Sequence, residues 1–176
     1  MLPRLSLLLV TTLAVSAATA KGVTAQIVIS SDALAEPIVI TDEEILDRFS
    51  IWQGPRSGRR VQGGELETDF SRAFVDFPAG VVESLPPDVV EFTVEFYEAD
   101  TRGGELWDDV YVVEYAMNPG FEDAFFYLPS SNRHIIIHGV EGNWLHASDS
   151  WEESVRPLIE RAFFVGIHQT LERSGD

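Results

Sequence analysis

Three closely spaced runs set the architecture of this chain: Val89-Val90-Glu91-Phe92-Thr93-Val94-Glu95-Phe96-Tyr97, then Tyr111-Val112-Val113-Glu114-Tyr115, then Ala124-Phe125-Phe126-Tyr127-Leu128. In the first run, apolar residues stand at every second position, which is typical of a strand with one buried and one solvated face. The polar second face favours antiparallel pairing. Turn residues separate the runs, so we expect a meander. Its aromatic side chains are interpreted as core, with an aromatic ligand platform as the minor alternative.

The first twenty residues have the pattern of a secretory signal peptide. Arg4 gives a basic start, the segment from Leu5 to Val15 is almost wholly apolar, and Ala18-Thr19-Ala20 has the Ala-x-Ala form of a cleavage site. We expect cleavage after Ala20 and export to the periplasm or the exterior, with one mature domain over residues 21–176. The absence of cysteine favours a bacterial exported protein. An uncleaved anchor is the alternative, although the apolar segment is short for a membrane span.

The composition is strongly acidic, with 12 Lys+Arg against 29 Asp+Glu and a formal net charge of −17. Loss of Arg4 with the signal peptide would make the mature chain more negative still. This balance argues against nucleic-acid binding, which depends on Lys and Arg at the phosphates. It also argues against attraction to an anionic membrane surface. The expected partner is therefore a protein or a small-molecule ligand, with no nucleic acid and no membrane span after signal cleavage.

The segments before the meander predict two strands and a short helix. Residues 23–30 alternate, and residues 37–40 form a second short strand that could pair with the first. Thr41 and Glu44 match a capping box, so a helix is expected from there to about Phe49. Residues 67–77 fit either a helix face or a strand, and we favour the strand.

After the meander, residues 134–138 are a further strand candidate and residues 139–146 a loop or irregular edge. Apolar residues from Trp151 onward recur at helical spacing. Pro157 is tolerated if the regular helix begins near Ser154, and otherwise kinks it. The predicted fold is therefore α+β: a mainly antiparallel sheet of five to seven strands packed against a short N-terminal helix near 42–49 and a long C-terminal helix near 151–172.

Two loops that carry Trp, residues 49–55 and residues 141–146, are the best candidates for a site. Trp beside Gly, Asn and His offers an amphipathic surface with polar groups. The alternative is that these tryptophans seal the helices onto the sheet. The candidate binding residues are Trp52, His138, Glu141, Asn143, Trp144 and His146. The sequence thus predicts a non-enzymatic exported module, ligand-binding or envelope-associated.

No catalytic residue is predicted, because the chain has no Cys and no Gly-x-Ser-x-Gly pattern. The alternative function is a hydrolase within residues 134–149, in which His138 or His146 acts with Glu141 or Asp149. No metal and no cofactor are predicted. On a strand, His134 and His138 would lie about 13 Å apart, which is too far for one ion, and neither the His-Glu-x-x-His nor the EF-hand spacing occurs.

Several motifs near both ends of the mature chain resemble those of a known protein family. They are Pro37-Ile38-Val39-Ile40-Thr41-Asp42, Phe49, Trp52, Gly54-Pro55, Gly139-Val140-Glu141-Gly142-Asn143-Trp144, Trp151 and Arg156-Pro157. Together they resemble a family of small, exported, uncharacterised bacterial proteins. The resemblance implies no activity, cofactor or partner, and the chain departs from the family in the charged segment around Arg56–Arg60.

Overall fold

The structure is a computed structural model that describes residues 22–55, 59–60, 66–121, 123–130 and 138–173. The predicted signal peptide, residues 1–20, and most of the strand candidate at 134–138 lie outside these residues. Among the described residues, no helix combines the length and the apolar character that crossing a membrane requires.

One seven-stranded sheet forms the body of the protein, with strand order β2-β1-β6-β7-β8-β9-β5. Every pair of neighbouring strands in it is antiparallel. The strands are β1 (Val23–Ser30), β2 (Ile38–Ile40), β5 (Val81–Val82), β6 (Val90–Ala99), β7 (Leu106–Met117), β8 (Ala124–Leu128) and β9 (Asn143–His146), with β3 (Arg59–Arg60) and β4 (Leu66–Glu67) as a separate pair. The mainly antiparallel sheet, the meander β6-β7-β8 and the pairing of β1 with β2 agree with the sequence prediction.

The alternation of side chains gives the sheet one covered face and one open face. Phe92, Val94 and Phe96 of β6 point into the core, together with the matching residues of β1, β7, β8 and β9. The intervening residues form the opposite face, called here the open face, where Thr93 and Glu114 are exposed and Ala116 and Phe125 are buried. A strand places successive side chains on opposite faces, so the pattern that revealed the strands also fixes which face the helices cover.

Trp151 is the centre of the covered face. It is fully buried, and its indole lies 4.9–6.1 Å, between ring centroids, from aromatic rings of the sheet and of the segment before β3. Those rings belong to Phe49, Phe96, Tyr115 and Phe126. Aromatic pairs at these separations add specific geometry to the burial of a large apolar area. The helices and the segment around Phe49 are thereby fixed on one side of the sheet.

The prediction of one long C-terminal helix at 151–172 is wrong. The described helices are three short ones, α1 (Glu43–Leu46), α2 (Asp149–Ser154) and α3 (Arg156–Arg173), and the longest of them, α3, has 18 residues. The C-terminal segment is divided at Val155, because Pro157 has no N–H to donate and its ring would clash with a carbonyl one turn earlier. Pro157 accordingly lies in the first turn of α3. The coarser α+β description still holds.

Four local predictions also need correction. The predicted helix at 42–49 is a single turn, and its N-cap is Asp42, whose carboxylate accepts from the amides of Glu44 and Ile45, in place of Thr41. The favoured strand at 67–77 is mostly irregular, with one isolated bridge between Val75 and Ala147. Residues 139–146, expected as a loop or irregular edge, contain a regular strand, β9, whose four residues pair with β8 on one side and partly with β5 on the other.

Candidate functional site

His138 and Glu141 come together in the turn at residues 138–142, directly before β9. The imidazole of His138 is 2% exposed, and its Nε2 lies 3.0 Å from the carbonyl oxygen of Ile51. Among the described residues its Nδ1 has no hydrogen-bond partner, and this atom lies 3.7 Å from Glu141 Oε1. A Cβ at Gly54 would collide with the ring, so the segment that carries Ile51 can approach only because residue 54 is glycine.

The Glu141 carboxylate holds the backbone of this turn. One oxygen accepts from the amide of His138, and the other accepts from the amide of Gly139 at 2.9 Å. Asn143 supports the same turn, since its side-chain amide donates to the carbonyls of Val140 at 3.0 Å and Glu141 at 3.2 Å. Gly139 and Gly142 have φ values of 90° and 83°, which glycine adopts readily. The side chains of Glu141 and Asn143 therefore stabilise this turn.

The surroundings set the protonation of this pair. Burial lowers the pKa of His138, opposed by the nearby carbonyls and by the Glu141 carboxylate. Burial works to raise the pKa of Glu141, but the amides that its carboxylate accepts from outweigh it, and the pKa lies below its usual value. His138 is thus neutral at pH 7, with the proton on Nε2 donated to the carbonyl of Ile51. The pair has the proximity of a general base and its orienting acid, but the imidazole is enclosed.

Trp52 lies against the core on the covered side of the sheet. Its indole Nε1 donates to Glu98 Oε2 at 2.9 Å, and the hydroxyl of Thr24 donates to Glu98 Oε1 at 2.7 Å. Glu98 is 2% exposed, so these donors replace water around a buried carboxylate. The ring of Trp52 also meets that of Trp107 edge-on at 6.4 Å. Trp52 is therefore occupied in sealing this end of the core.

Trp144 and His146 lie on the opposite, open face. Both belong to β9, where the residue between them, Leu145, points into the core. The ring of Trp144 lies 5.4 Å from that of Tyr127, and the ring of His146 lies 5.1 Å from that of Phe125. Trp144, Tyr127 and His146 are partly exposed.

The structure therefore divides the six candidate residues into three places. His138, Glu141 and Asn143 share the turn before β9, Trp52 lies at the buried Glu98, and Trp144 and His146 lie on the open face. Asp149 is exposed in the first turn of α2. Since His138 and His146 point to different faces of the sheet, they cannot act on one substrate together.

The sequence reasoning missed two buried polar centres. Glu98 continues the inward register of Phe92, Val94 and Phe96, so an acid in a buried position of that strand was the available signal. The second is a network at the start of α3. Arg156 reaches Glu152 at 2.6 Å and Glu160 at 2.9 Å, and Glu152 also accepts from the hydroxyl of Tyr115 at 3.0 Å.

The guanidinium of Arg156 also bonds the carbonyls of Asn118, at 3.2 Å, and Phe121 in the β7–β8 turn. Burial raises the pKa of Glu152, against the opposing effect of Arg156. Burial likewise raises the pKa of Tyr115 far above its ordinary value. Glu152, Arg156 and Glu160 stand at four-residue intervals, a spacing that indicates ion pairs along a helix. No feature of the sequence indicates that Arg156 also contacts the β7–β8 turn.

Within the part of the chain that the structure describes, no three His, Cys, Asp or Glu side chains are grouped in a way that would hold a metal ion. The fold and these sites define an α+β protein whose seven-stranded antiparallel sheet carries the described helices on one face. Comparison with models of protein families, with curated proteins and with solved structures finds no match. The resemblance to small exported bacterial proteins therefore stays a prediction.

Proposed function

We propose that this protein is an exported, non-enzymatic binding module whose ligand surface is the open face of the sheet around Trp144. One observation carries the proposal: Trp144 and Tyr127 form a partly exposed aromatic pair on a face that none of the described helices covers. Paired aromatic rings with one side in solvent are typical of ligand-binding surfaces. Export rests on the signal-peptide pattern of residues 1–20, and the acidic composition favours a protein or small-molecule ligand over nucleic acid.

The other candidate residues support this choice, because each has a structural task. The indole of Trp52 donates to the buried Glu98, the carboxylate of Glu141 accepts two amides, and Asn143 bonds two carbonyls. The hydrolase alternative would need His138 to reach a substrate, yet its imidazole is 2% exposed. His146 is partly exposed beside Phe125, so it belongs with the proposed ligand surface.

The proposal predicts that Trp144 contributes little to stability. Trp144→Ala should lower the free energy of unfolding by about 1 kcal/mol, because a partly exposed ring loses less burial. Trp151→Ala should lower it by roughly 3–5 kcal/mol, as removal of a fully buried aromatic does. Trp52→Ala should cost roughly 3 kcal/mol, since it deletes packing and a donor to buried Glu98. Urea unfolding curves of the three variants supply the measurement.

Binding itself can be followed on Trp144. The chain has four tryptophans, so a 5-fluorotryptophan-labelled protein gives four fluorine resonances, and Trp144→Phe identifies the one of interest. A panel of short peptides and soluble oligosaccharides should contain members that shift the Trp144 resonance and leave that of the buried Trp151 unchanged. A cost for Trp144→Ala as large as for Trp151→Ala, or a Trp144 resonance that no panel member moves, would contradict the proposed surface.

A further inference from the structure

The open face carries acidic and aromatic side chains, and its described strand residues include no lysine or arginine. Cross-strand pairing places one residue from each of six strands in a single row. The row runs Ser30, Thr93, Glu114, Tyr127, Trp144 and Val82. At about 4.8 Å between neighbouring strands, it extends about 24 Å across the sheet.

One end of the row opens into an acidic concavity of about 610 Å³. Its lining includes Asp32, Glu91 and Glu114 and contains no basic residue. Glu91 and Glu114 are exposed, and in the part of the chain that the structure describes neither carboxylate makes an ion pair. Glu114 belongs both to the concavity and to the row, where it stands directly opposite Tyr127.

The other end of the row is aromatic. The rings of Tyr127 and Trp144 lie 5.4 Å apart at an interplanar angle of 46°, next to the half-buried Val82. Such rings attract a cation over their faces and also pack against the apolar stems of Lys and Arg side chains. Glu114 is the next residue in the row after Tyr127. The charged group of a Lys or Arg side chain can therefore contact Glu114 while its apolar stem packs on the neighbouring aromatic rings.

We propose that the open face binds an extended, lysine- or arginine-bearing segment of a partner polypeptide. The inference rests on the proposed function, because it takes the same face as the ligand surface and names its ligand. Charge complementarity selects the cationic class, since Glu91 and Glu114 are exposed and no described strand residue of the face is a Lys or Arg that could neutralise them. The length of the row selects a chain over a small cation: about seven extended residues at 3.3 Å each cover it, whereas a small cation would contact one end only.

The test uses the fluorotryptophan-labelled protein and a peptide of about seven residues that alternates lysine with serine, a length that matches the row. Two matched peptides replace every lysine by glutamine or by glutamate. The lysine peptide should shift the Trp144 resonance and leave those of Trp52, Trp107 and Trp151 in place. Its affinity should fall at least threefold between about 50 and about 300 mM NaCl, because exposed charges are screened over that range. The glutamate peptide should not bind.

Two variants locate the effect on the face. Glu114→Gln should weaken binding of the lysine peptide about threefold, the size of one exposed ion pair, without lowering stability. Glu153→Gln is the matched control, because it makes the same charge change at an exposed position on α2, on the helical side of the sheet. An equal loss of affinity in both variants would show attraction to the net charge of the molecule and would overturn the proposed site.

The outcomes separate the inference from the function on which it rests. If the glutamine peptide or an oligosaccharide shifts the Trp144 resonance as strongly as the lysine peptide does, the basic ligand is wrong and the binding face stands. If no peptide and no oligosaccharide shifts it, both are wrong.

Discussion

His138 joins two segments that lie 87 residues apart, through the contact of its Nε2 with the carbonyl of Ile51. The ring is also stacked on Phe77 at 5.4 Å and meets Tyr111 edge-on at 6.1 Å. Among the described residues, the charged group that faces the ring is Glu141, on the same turn. Protonation would therefore place a charge among these aromatic rings, beside the carboxylate of Glu141.

This site predicts a pH-dependent stability. Because burial holds the folded pKa of His138 below its ordinary 6.5, the unfolded chain takes up the proton first as the pH falls. The contribution of neutral His138 to the free energy of unfolding is complete above the pKa that this residue has in the unfolded chain. Below that pH the contribution decreases, with a slope of at most about 1.4 kcal/mol per pH unit, until the pKa of His138 in the folded protein is reached.

Urea unfolding between about pH 8 and pH 5 would measure that slope, since the ordinary histidine pKa lies in this interval. His138→Gln, which keeps an amide donor for the carbonyl of Ile51, should flatten the dependence. His146→Gln leaves His138 in place and serves as the control. A slope that persists in His138→Gln would place the responsible group elsewhere.

The strands show how far residue patterns predict elements in this chain. Strict alternation in β6 and β7 fixed the strands and also their inward residues, because a period of two has only two faces. Residues 139–146 carry glycines and polar groups, and β9 forms there because β8 supplies a neighbour to pair with. That pairing is a tertiary effect, and so is the contact between Trp52 and Glu98, which are 46 residues apart. The contact of Trp52 with Glu98 could not be predicted from the sequence for this reason, whereas Trp144 stands in a loop-like sequence that becomes a strand.

The junction of α2 and α3 with the β7–β8 turn depends on Arg156. Its guanidinium bonds two carboxylates and two backbone carbonyls, and the residue is only 8% exposed. Arg156→Ala should lower the free energy of unfolding by roughly 3 kcal/mol, because it leaves Glu152 partly buried without its counter-charge. Arg156→Lys should recover little of the loss, since one ammonium cannot reproduce the planar guanidinium contacts.

Arg161→Ala is the matched control for this junction. Arg161 is exposed on the same helix, so its removal should change stability by no more than about 0.5 kcal/mol. Chemical denaturation of the three variants at one pH gives the comparison. Equal effects of Arg156→Ala and Arg161→Ala would mean that the network at the start of α3 does not stabilise the fold.

The whole molecule combines a one-sided core with an unbalanced charge. Helices and the irregular segments around Phe49 and Phe74 cover one face of the sheet, and the acidic side chains of the other face lie in solvent. Two guanidinium groups, those of Arg102 and Arg156, form ion pairs within the described part of the chain, against a formal net charge of −17. Repulsion among the remaining carboxylates opposes the compact state.

Salt should therefore stabilise this protein near neutral pH. Raising NaCl from about 10 to about 300 mM shortens the Debye length from about 30 Å to below 10 Å, which screens the repulsion among exposed carboxylates more than it weakens the few ion pairs. The free energy of unfolding, measured with urea because urea adds no ions, should increase across this range at pH 7.5. Near pH 4.4, the isoelectric point of the sequence, the increase should disappear because the net charge is close to zero. A decrease with salt at pH 7.5 would mean that attractive ion pairs outweigh the repulsion among the carboxylates in the folded protein.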